Sequence, residues 1–216
     1  MTTAMLELYG ATFDPRYLEQ AVMLQQQTHA LFWDTDNGGF FFAAEDNEEL
    51  LVRQKETYDG AIPSGNSTAA DNYVRLARLT SDGEFLKGAE LVFAAFSNEA
   101  NQQPSAHSQL ISALQRGVGP SLEVVIVGTV GAEDTAALIA TVREMYLPQA
   151  AVLVVPSGKA GASISKIAPF AESYEPVDGK AAAYVCRDFT CQRPTTDPSK
   201  LRELLQEAIS EPSSSP

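Results

Sequence analysis

Apolar side chains recur along this chain first at helical and then at strand spacing. Asp14-Pro15 has the form of a helix start, a capping carboxylate followed by a proline preset for the first turn. Tyr17, Ala21, Leu24, Thr28 and Leu31 follow at alternating steps of four and three, which predicts an amphipathic helix. Asp34 to Gly39 is turn chemistry, and Phe40-Phe41-Phe42 reads as a short strand returning as Leu50-Leu51-Val52-Arg53, a β-hairpin between helices. Ala70, Tyr73, Leu76 and Ala77 predict a helix over 67–79. Ser81-Asp82-Gly83-Glu84 then has the capping-box form ahead of Phe85, Ala89, Val92 and Phe96. The turn between these two helices is short, so they are expected to pair antiparallel. Ser105 is placed to cap a further helix with His107, Ile111, Leu114 and Val118 on one stripe.

The pattern changes at Gly117-Val118-Gly119-Pro120. Leu122 to Val127 is a continuous apolar, β-branched run, Glu133 to Tyr146 is helical, and Ala151 to Val155 is a second buried run, together a βαβ unit with a parallel strand pair. Ala182 to Cys186 adds a third strand and Pro198 to Ile209 a closing helix capped by Asp197. The expected organisation is mainly α: helical hairpins with an inserted β-hairpin over 1–118, a small α/β layer over 119–210, and a frayed polar tail over 211–216. Paired helices of this size are the unit from which α/α toroids are built.

Composition narrows the function classes. A chain of 216 residues with 44% hydrophobic and 20% charged residues has ordinary globular composition. Its formal charge of -13 repels phosphate backbones and anionic lipid surfaces, so neither nucleic acid nor membrane is expected as a partner. With no charged-then-apolar leader and no apolar run approaching ~18 residues, the expectation is a cytoplasmic protein.

Polar chemistry concentrates between Arg53 and Ser67. Glu56 and Asp59 are candidate catalytic carboxylates, able to exchange protons or bind hydroxyls. Lys55 can stabilise an anion, and Tyr58, Ser64 and Asn66 offer hydrogen bonds to a sugar or other polyol. Trp33 offers a plane on which a ring can stack. In the competing reading Ser64, Asn66 and Ser67 cap the next helix, Pro63 and Gly65 shape the turn, and the charges form surface pairs.

His29 and His107, the two histidines, suit an acid/base pair, yet each lies beside an apolar stripe where a histidine is commonly a hydrogen-bonded core residue. No carboxylate or second histidine sits at ligand spacing from either, so no metal and no cofactor are expected. Cys186 and Cys191 lack the two-residue gap of a dithiol redox motif and are expected to be reduced thiols. The clusters Gly128-Thr129-Val130-Gly131 and Pro156-Ser157-Gly158-Lys159-Ala160 fall short of dinucleotide and phosphate-loop fingerprints and are expected to be tight turns.

Several pieces occur together in one order: Trp33-Asp34 to Gly38-Gly39-Phe40-Phe41, Tyr58-Asp59-Gly60-Ala61 to Pro63-Ser64-Gly65-Asn66-Ser67, Arg75 to Thr80, Val125-Ile126-Val127-Gly128, and Tyr184-Val185-Cys186 to Thr190-Cys191. In this the chain resembles the C-terminal part of the thioredoxin-domain-containing family of the spermatogenesis-associated protein 20 type, also called the DUF255 family. The resemblance implies an N-terminal thioredoxin-like domain followed by an (α/α)6 toroid related to six-hairpin glycosidases and N-acylglucosamine 2-epimerases, of which this chain is the last portion. It implies a carbohydrate or polyol ligand and sugar epimerisation, isomerisation or glycoside hydrolysis. The alternative is a non-catalytic interaction module that positions the thioredoxin-like domain. Apolar faces left uncovered by the earlier hairpins would then serve self-association or docking with the N-terminal domains.

Overall fold

The computed structural model describes residues 1–46, 52–187 and 190–210. Its described part is mainly α with a small four-stranded mixed sheet. Two compact units result, Met1–Ala77 with Asp82–Val118 and Arg78–Ser81 with Gly119–Pro216.

In the first unit α1 (Thr2–Thr12) buries Thr2, Leu6 and Tyr9 against α2 (Pro15–Phe32), a helix that the sequence pattern above does not announce. Helix α2 starts as expected: the Asp14 carboxylate accepts the Arg16 N–H at 3.0 Å and Pro15 takes the first helical position. Its buried residues are Leu18, Ala21 and Gln25, while Leu31 is 38% exposed. The inward face is therefore turned by one residue from the expected stripe, because a helix step of 100° lets a buried glutamine stand where periodicity asks for a hydrocarbon.

Helix α3 (Gly65–Thr80) lies deep in its unit, with Ala70, Asn72, Tyr73, Val74 and Leu76 all buried. It touches α1 through the Thr3 hydroxyl on Asn72 at 2.9 Å and the Arg75–Glu7 ion pair at 2.8 Å. It meets α4 (Gly83–Ala95) where the Tyr73 ring lies over Gly88, whose added Cβ would stand 2.8 Å from that ring. Helix α4 is capped by Asp82, whose carboxylate accepts the Glu84 N–H at 2.9 Å. Ser81, the expected cap, is left-handed with φ 55° and forms the turn instead.

After α5 (Ser97–Gln102) a 3-10 turn, Pro104–Ala106, contains Ser105, and α6 (Ser108–Val118) begins beyond it. Leu110 and Ala113 are its buried residues, whereas Ile111, Leu114 and Val118 of the expected stripe are 37%, 39% and 76% exposed. Phe40 makes a single antiparallel bridge with Trp33, and the Phe42 N–H donates to Gln54 O at 2.7 Å. Leu50 and Leu51 of the expected return strand lie outside the described residues, as does the tail. The turn before Phe40 needs glycine: Gly39 has φ 77°, and a Cβ there would stand 2.7 Å from the Phe96 ring.

The second unit is built on β1 (Leu122–Gly128), buried at every position. It pairs in parallel with β2 (Ala150–Pro156), through α7 (Glu133–Arg143), and antiparallel with β3 (Ala182–Arg187), which pairs with the two-residue β4 (Thr190–Cys191). Burial on both faces follows from two covering layers. Alternate residues of β1 up to Gly128 face α7, since a Cβ on Gly128 would strike Thr135 Oγ1 at 2.3 Å. The other set, Glu123, Val125 and Val127, belongs to the face covered by α8 (Ala162–Ile167) and the 3-10 turn Pro169–Ser173. Helix α9 (Pro198–Ser210) packs on α7 and β3, its start held by the Asp197 carboxylate on the Ser199 N–H at 2.8 Å. Cys186 and Cys191, expected as thiols, form a disulfide, because antiparallel pairing of β3 with β4 sets them directly opposite with Cα atoms 3.9 Å apart.

Candidate functional site

From Val52 to Pro63 the chain of the first unit is irregular and exposure alternates along it. Thr57 and Asp59 are buried, while Glu56, Tyr58 and Gly60 are exposed. The two candidate carboxylates therefore fall on opposite sides of the strand-like segment.

Asp59 is occupied by backbone. Its Oδ1 accepts the Ser64 N–H at 2.9 Å, and its Oδ2 accepts the Gln109 and Leu110 N–H groups at 2.9 and 3.2 Å, so one side chain ties the loop to the first turn of α6. These are helix-start donors that need an acceptor, and a carboxylate also complements the positive end of the helix dipole. Ser64 caps α3, its Oγ accepting the Ser67 N–H at 3.1 Å and donating to Ser67 Oγ. Asn66 acts as a strand neighbour: its Oδ1 accepts from Phe40 N at 2.7 Å, and its Nδ2 donates to Phe40 O and Glu56 O, each at 2.9 Å.

Lys55 reaches Asp34 at 2.6 Å and Gly38 O at 2.8 Å. Asp34 in turn accepts the Asp36 and Asn37 N–H groups, and the ammonium beside it, followed by those donors, holds its carboxyl far below the usual carboxylate range. Phe41 completes this corner, with the Arg53 guanidinium 4.1 Å and the Lys55 ammonium 5.4 Å from its ring centre.

Trp33 belongs to a separate cluster. Its ring stacks on His29 at 4.8 Å with 23° between planes and meets the edge of Phe40 at 5.0 Å. His29 Nδ1 lies 2.7 Å from the Tyr73 hydroxyl. Burial lowers the His29 pKa and pushes Tyr73 up to about 12, so near neutrality the imidazole is neutral and the phenol keeps its proton. One of the two groups donates to the other across this contact, and the imidazole tautomer sets which. Gln25, 1% exposed, brings its buried side-chain amide to the same Tyr73 hydroxyl. His107 has other partners: Nδ1 donates to Gln103 O at 3.0 Å and Nε2 accepts from Thr57 at 3.2 Å, the environment of a satisfied core histidine. Spacing along the chain carried no sign of Tyr73 as a partner of His29, since the two are separated by 44 residues.

The second unit holds a cleft of about 670 Å³ at the carboxyl ends of the parallel strands β1 and β2, the usual place for a ligand in such a sheet. Val127, Val155, Ser157, Lys166, Glu172 and Tyr174 are among its walls. The first glycine cluster is a turn, and the second leads from β2 into a short 3-10 helix, Gly158–Gly161. The Ala132 N–H donates to Thr129 O at 3.1 Å, the Ser157 N–H to Gly128 O at 2.8 Å, and the Thr129 and Ser157 hydroxyls meet at 3.0 Å. Among the described residues no group of three or more His, Cys, Asp or Glu side chains could hold a metal ion, and no helix is long and apolar enough to cross a membrane.

No family model matches the chain. It is similar to human spermatogenesis-associated protein 20, 35% identical over 202 residues, which is 93% of this chain and 26% of that protein. The rat protein of that name is 34% identical over 204 residues, covering 94% of this chain and 26% of its own length. A Caenorhabditis elegans protein described as uncharacterized is 30% identical over 203 residues, 94% of this chain and 27% of that protein. The chain thus spans about a quarter of the length of the curated relatives it matches, a C-terminal portion of the spermatogenesis-associated proteins.

Proposed function

We propose that the helical unit of this chain is a non-catalytic interaction module of a longer protein and docks against the preceding part of that protein. One observation carries the reading: α6 presents Ile111, Leu114 and Val118 along one exposed face, an apolar stripe that water does not favour and that a covering helix would bury. The occupant is taken to be the portion of the longer relatives that lies outside the matched quarter. The state of the polar loop supports the same reading. Asp59 and Asn66 are engaged by backbone groups and Lys55 by Asp34 and Gly38, and the Glu56 side chain is exposed on the other side of the segment.

The test is complementation in trans. Human spermatogenesis-associated protein 20 lacking its matched segment is mixed with this chain and with Ile111→Lys/Leu114→Lys, and association is followed by light scattering. Binding by the wild-type chain and its loss in the double variant is the expected result. Equal association of both, or of neither, overturns the proposal.

A second reading, in which the first unit binds a carbohydrate or polyol, is supported by Trp33 and His29. An indole plane beside an imidazole offers stacking and a ring nitrogen for hydrogen bonding together. Trp33→Ala should then abolish retention on immobilised sugars, and unchanged retention excludes it.

A further inference from the structure

Side chains of three neighbouring strands form a row on one face of the sheet. In register, Glu123 of β1 stands opposite Cys186 of β3, and Cys186 opposite Cys191 of β4. Opposite residues of antiparallel strands project to the same side. The Gln192 N–H donates to Val185 O at 2.9 Å, so 185 and 192 are the hydrogen-bonded pair. Residues 186 and 191 are then the non-bonded pair, where side chains approach most closely, and their disulfide forms there.

The two sulfurs differ in access. Cys186 is 3% exposed, whereas β4 with Cys191 is exposed. Tyr174 comes over the same face from the segment after the 3-10 turn. Its hydroxyl is 3.5 Å from Cys191 Sγ and 3.8 Å from Cys186 Sγ, and its ring edge rests on Tyr184 at 4.7 Å. Burial first and then the Glu123 charge raise the Tyr174 pKa, so the carboxylate lies within electrostatic reach of a phenol that stays protonated. Glu123 itself is 8% exposed. The disulfide therefore has a buried carboxylate at the next register position. A sulfur that must leave as a thiolate and gain a proton has use for both groups.

We propose that Cys186–Cys191 is a thiol–disulfide exchange site that takes two electrons from a protein dithiol, with Cys191 as the attacked sulfur and Glu123 and Tyr174 serving the departing Cys186. A thiolate of the partner attacks Cys191 Sγ, a new S–S bond forms as the Sγ–Sγ bond breaks, and the electron pair departs on Cys186 Sγ. Tyr174 donates a hydrogen bond to that thiolate, and the Glu123 carboxylate takes up a proton from solvent and passes it to Cys186 Sγ, returning to its charged form. The partner's second thiolate then attacks its own sulfur in the mixed disulfide and releases Cys191 as a thiolate, protonated from solvent. The partner departs as a disulfide, and the two protons its thiols gave up are balanced by those on Cys186 and Cys191.

The experiment treats the folded 216-residue chain with dithiothreitol across pH and counts alkylated cysteines by mass, with circular dichroism following the fold. Reduction of both cysteines in the native state is expected. With oxidised glutathione, Cys186→Ser should trap one mixed disulfide on Cys191, and Cys191→Ser about tenfold less on the buried Cys186. Glu123→Gln should slow native reduction by about tenfold near pH 7 and flatten its pH profile, with Glu123→Asp restoring part of it. Tyr174→Phe, which leaves the strands untouched, should slow it less. If the disulfide yields only in denaturant that unfolds the chain, it is a staple and the proposal fails. A wild-type pH profile in both Glu123→Gln and Tyr174→Phe removes their assigned roles and overturns it equally.

Discussion

Asp59→Ala should destabilise the first unit far more than any change at Glu56. Asp59 is 9% exposed, and its carboxylate accepts three backbone N–H groups, from Ser64, Gln109 and Leu110. A hydrogen bond to a charged group contributes about 1.5–3 kcal/mol, and a buried donor left without an acceptor costs about 1–3 kcal/mol. The three share one acceptor group and do not add, and water can enter the space left by alanine, so the expected loss is about 3–5 kcal/mol. Asp59→Asn keeps one acceptor oxygen and should lose about 1–2 kcal/mol. Glu56→Ala, on the exposed side, should stay within about 0.5 kcal/mol. Trp33 is the sole tryptophan and lies in the first unit, so urea titration followed by its fluorescence reads this unit alone. Hydrogen exchange at Ser64, Gln109 and Leu110 should accelerate together in Asp59→Ala. A loss below about 1 kcal/mol, or equal losses at Asp59 and Glu56, would refute the view that Asp59 holds the loop to α6.

Three further outcomes follow from other groups. The Asp34 carboxyl is depressed by Lys55, so the pair stabilises the fold fully above about pH 4, the unfolded value, and loses that contribution as pH falls through the lower folded value. Lys55→Met should therefore narrow the gap between urea midpoints at pH 7 and pH 3. The His29 pKa is also lowered, by burial, so its contribution is present above about pH 6.5 and lost as pH falls through the folded value. The decline in stability from pH 7 to pH 5 should be shallower in His29→Gln. In the second unit, Gly128→Ala puts a Cβ 2.3 Å from Thr135 Oγ1 and 2.8 Å from Ala181 Cβ, and should cost about 1–3 kcal/mol in calorimetry, with Thr135→Ala restoring part.

Elements with local signals were legible from the chain alone. The apolar run at Leu122, the cap and proline at Asp14-Pro15, and the cap and proline at Asp197-Pro198 each carry their structure within a few residues. Features set by partners far along the chain were not. Leu110 and Ala113, not Ile111 and Leu114, became the inner face of α6 because Asp59 fixes how its first turn sits, and Asp59 is 50 residues from Gln109. The roles of Asn66 and Tyr73 depend on Phe40 and His29, which are 26 and 44 residues away, and no spacing rule announces such pairs. Polarity between Lys55 and Ser67 reads equally as ligand chemistry or as capping, since both need donors and acceptors at high density. Only the direction in which each side chain faces separates them. α1 was missed for a simpler reason: Thr2, Leu6 and Tyr9 alternate with Met5 and Leu8, so its apolar positions define no single face.

The cysteine pair shows how register converts an unremarkable spacing into chemistry. A crosslink between residues five apart removes little freedom from the unfolded chain, about 2 kcal/mol in the loop-entropy account against nearly 5 for a loop of about 100 residues. As a staple it is weak, and the sheet scarcely depends on it: β1 is paired along its length with β2 and β3, while β4 adds two exposed residues at the edge. Opening the bond should therefore leave the buried part of the sheet in place. What the bond does have is an asymmetric setting, one sulfur buried beside Glu123 and the other exposed, with Tyr174 within 4 Å of both. Weak mechanical value and a developed electrostatic setting are the combination expected where breaking and remaking the bond is the function.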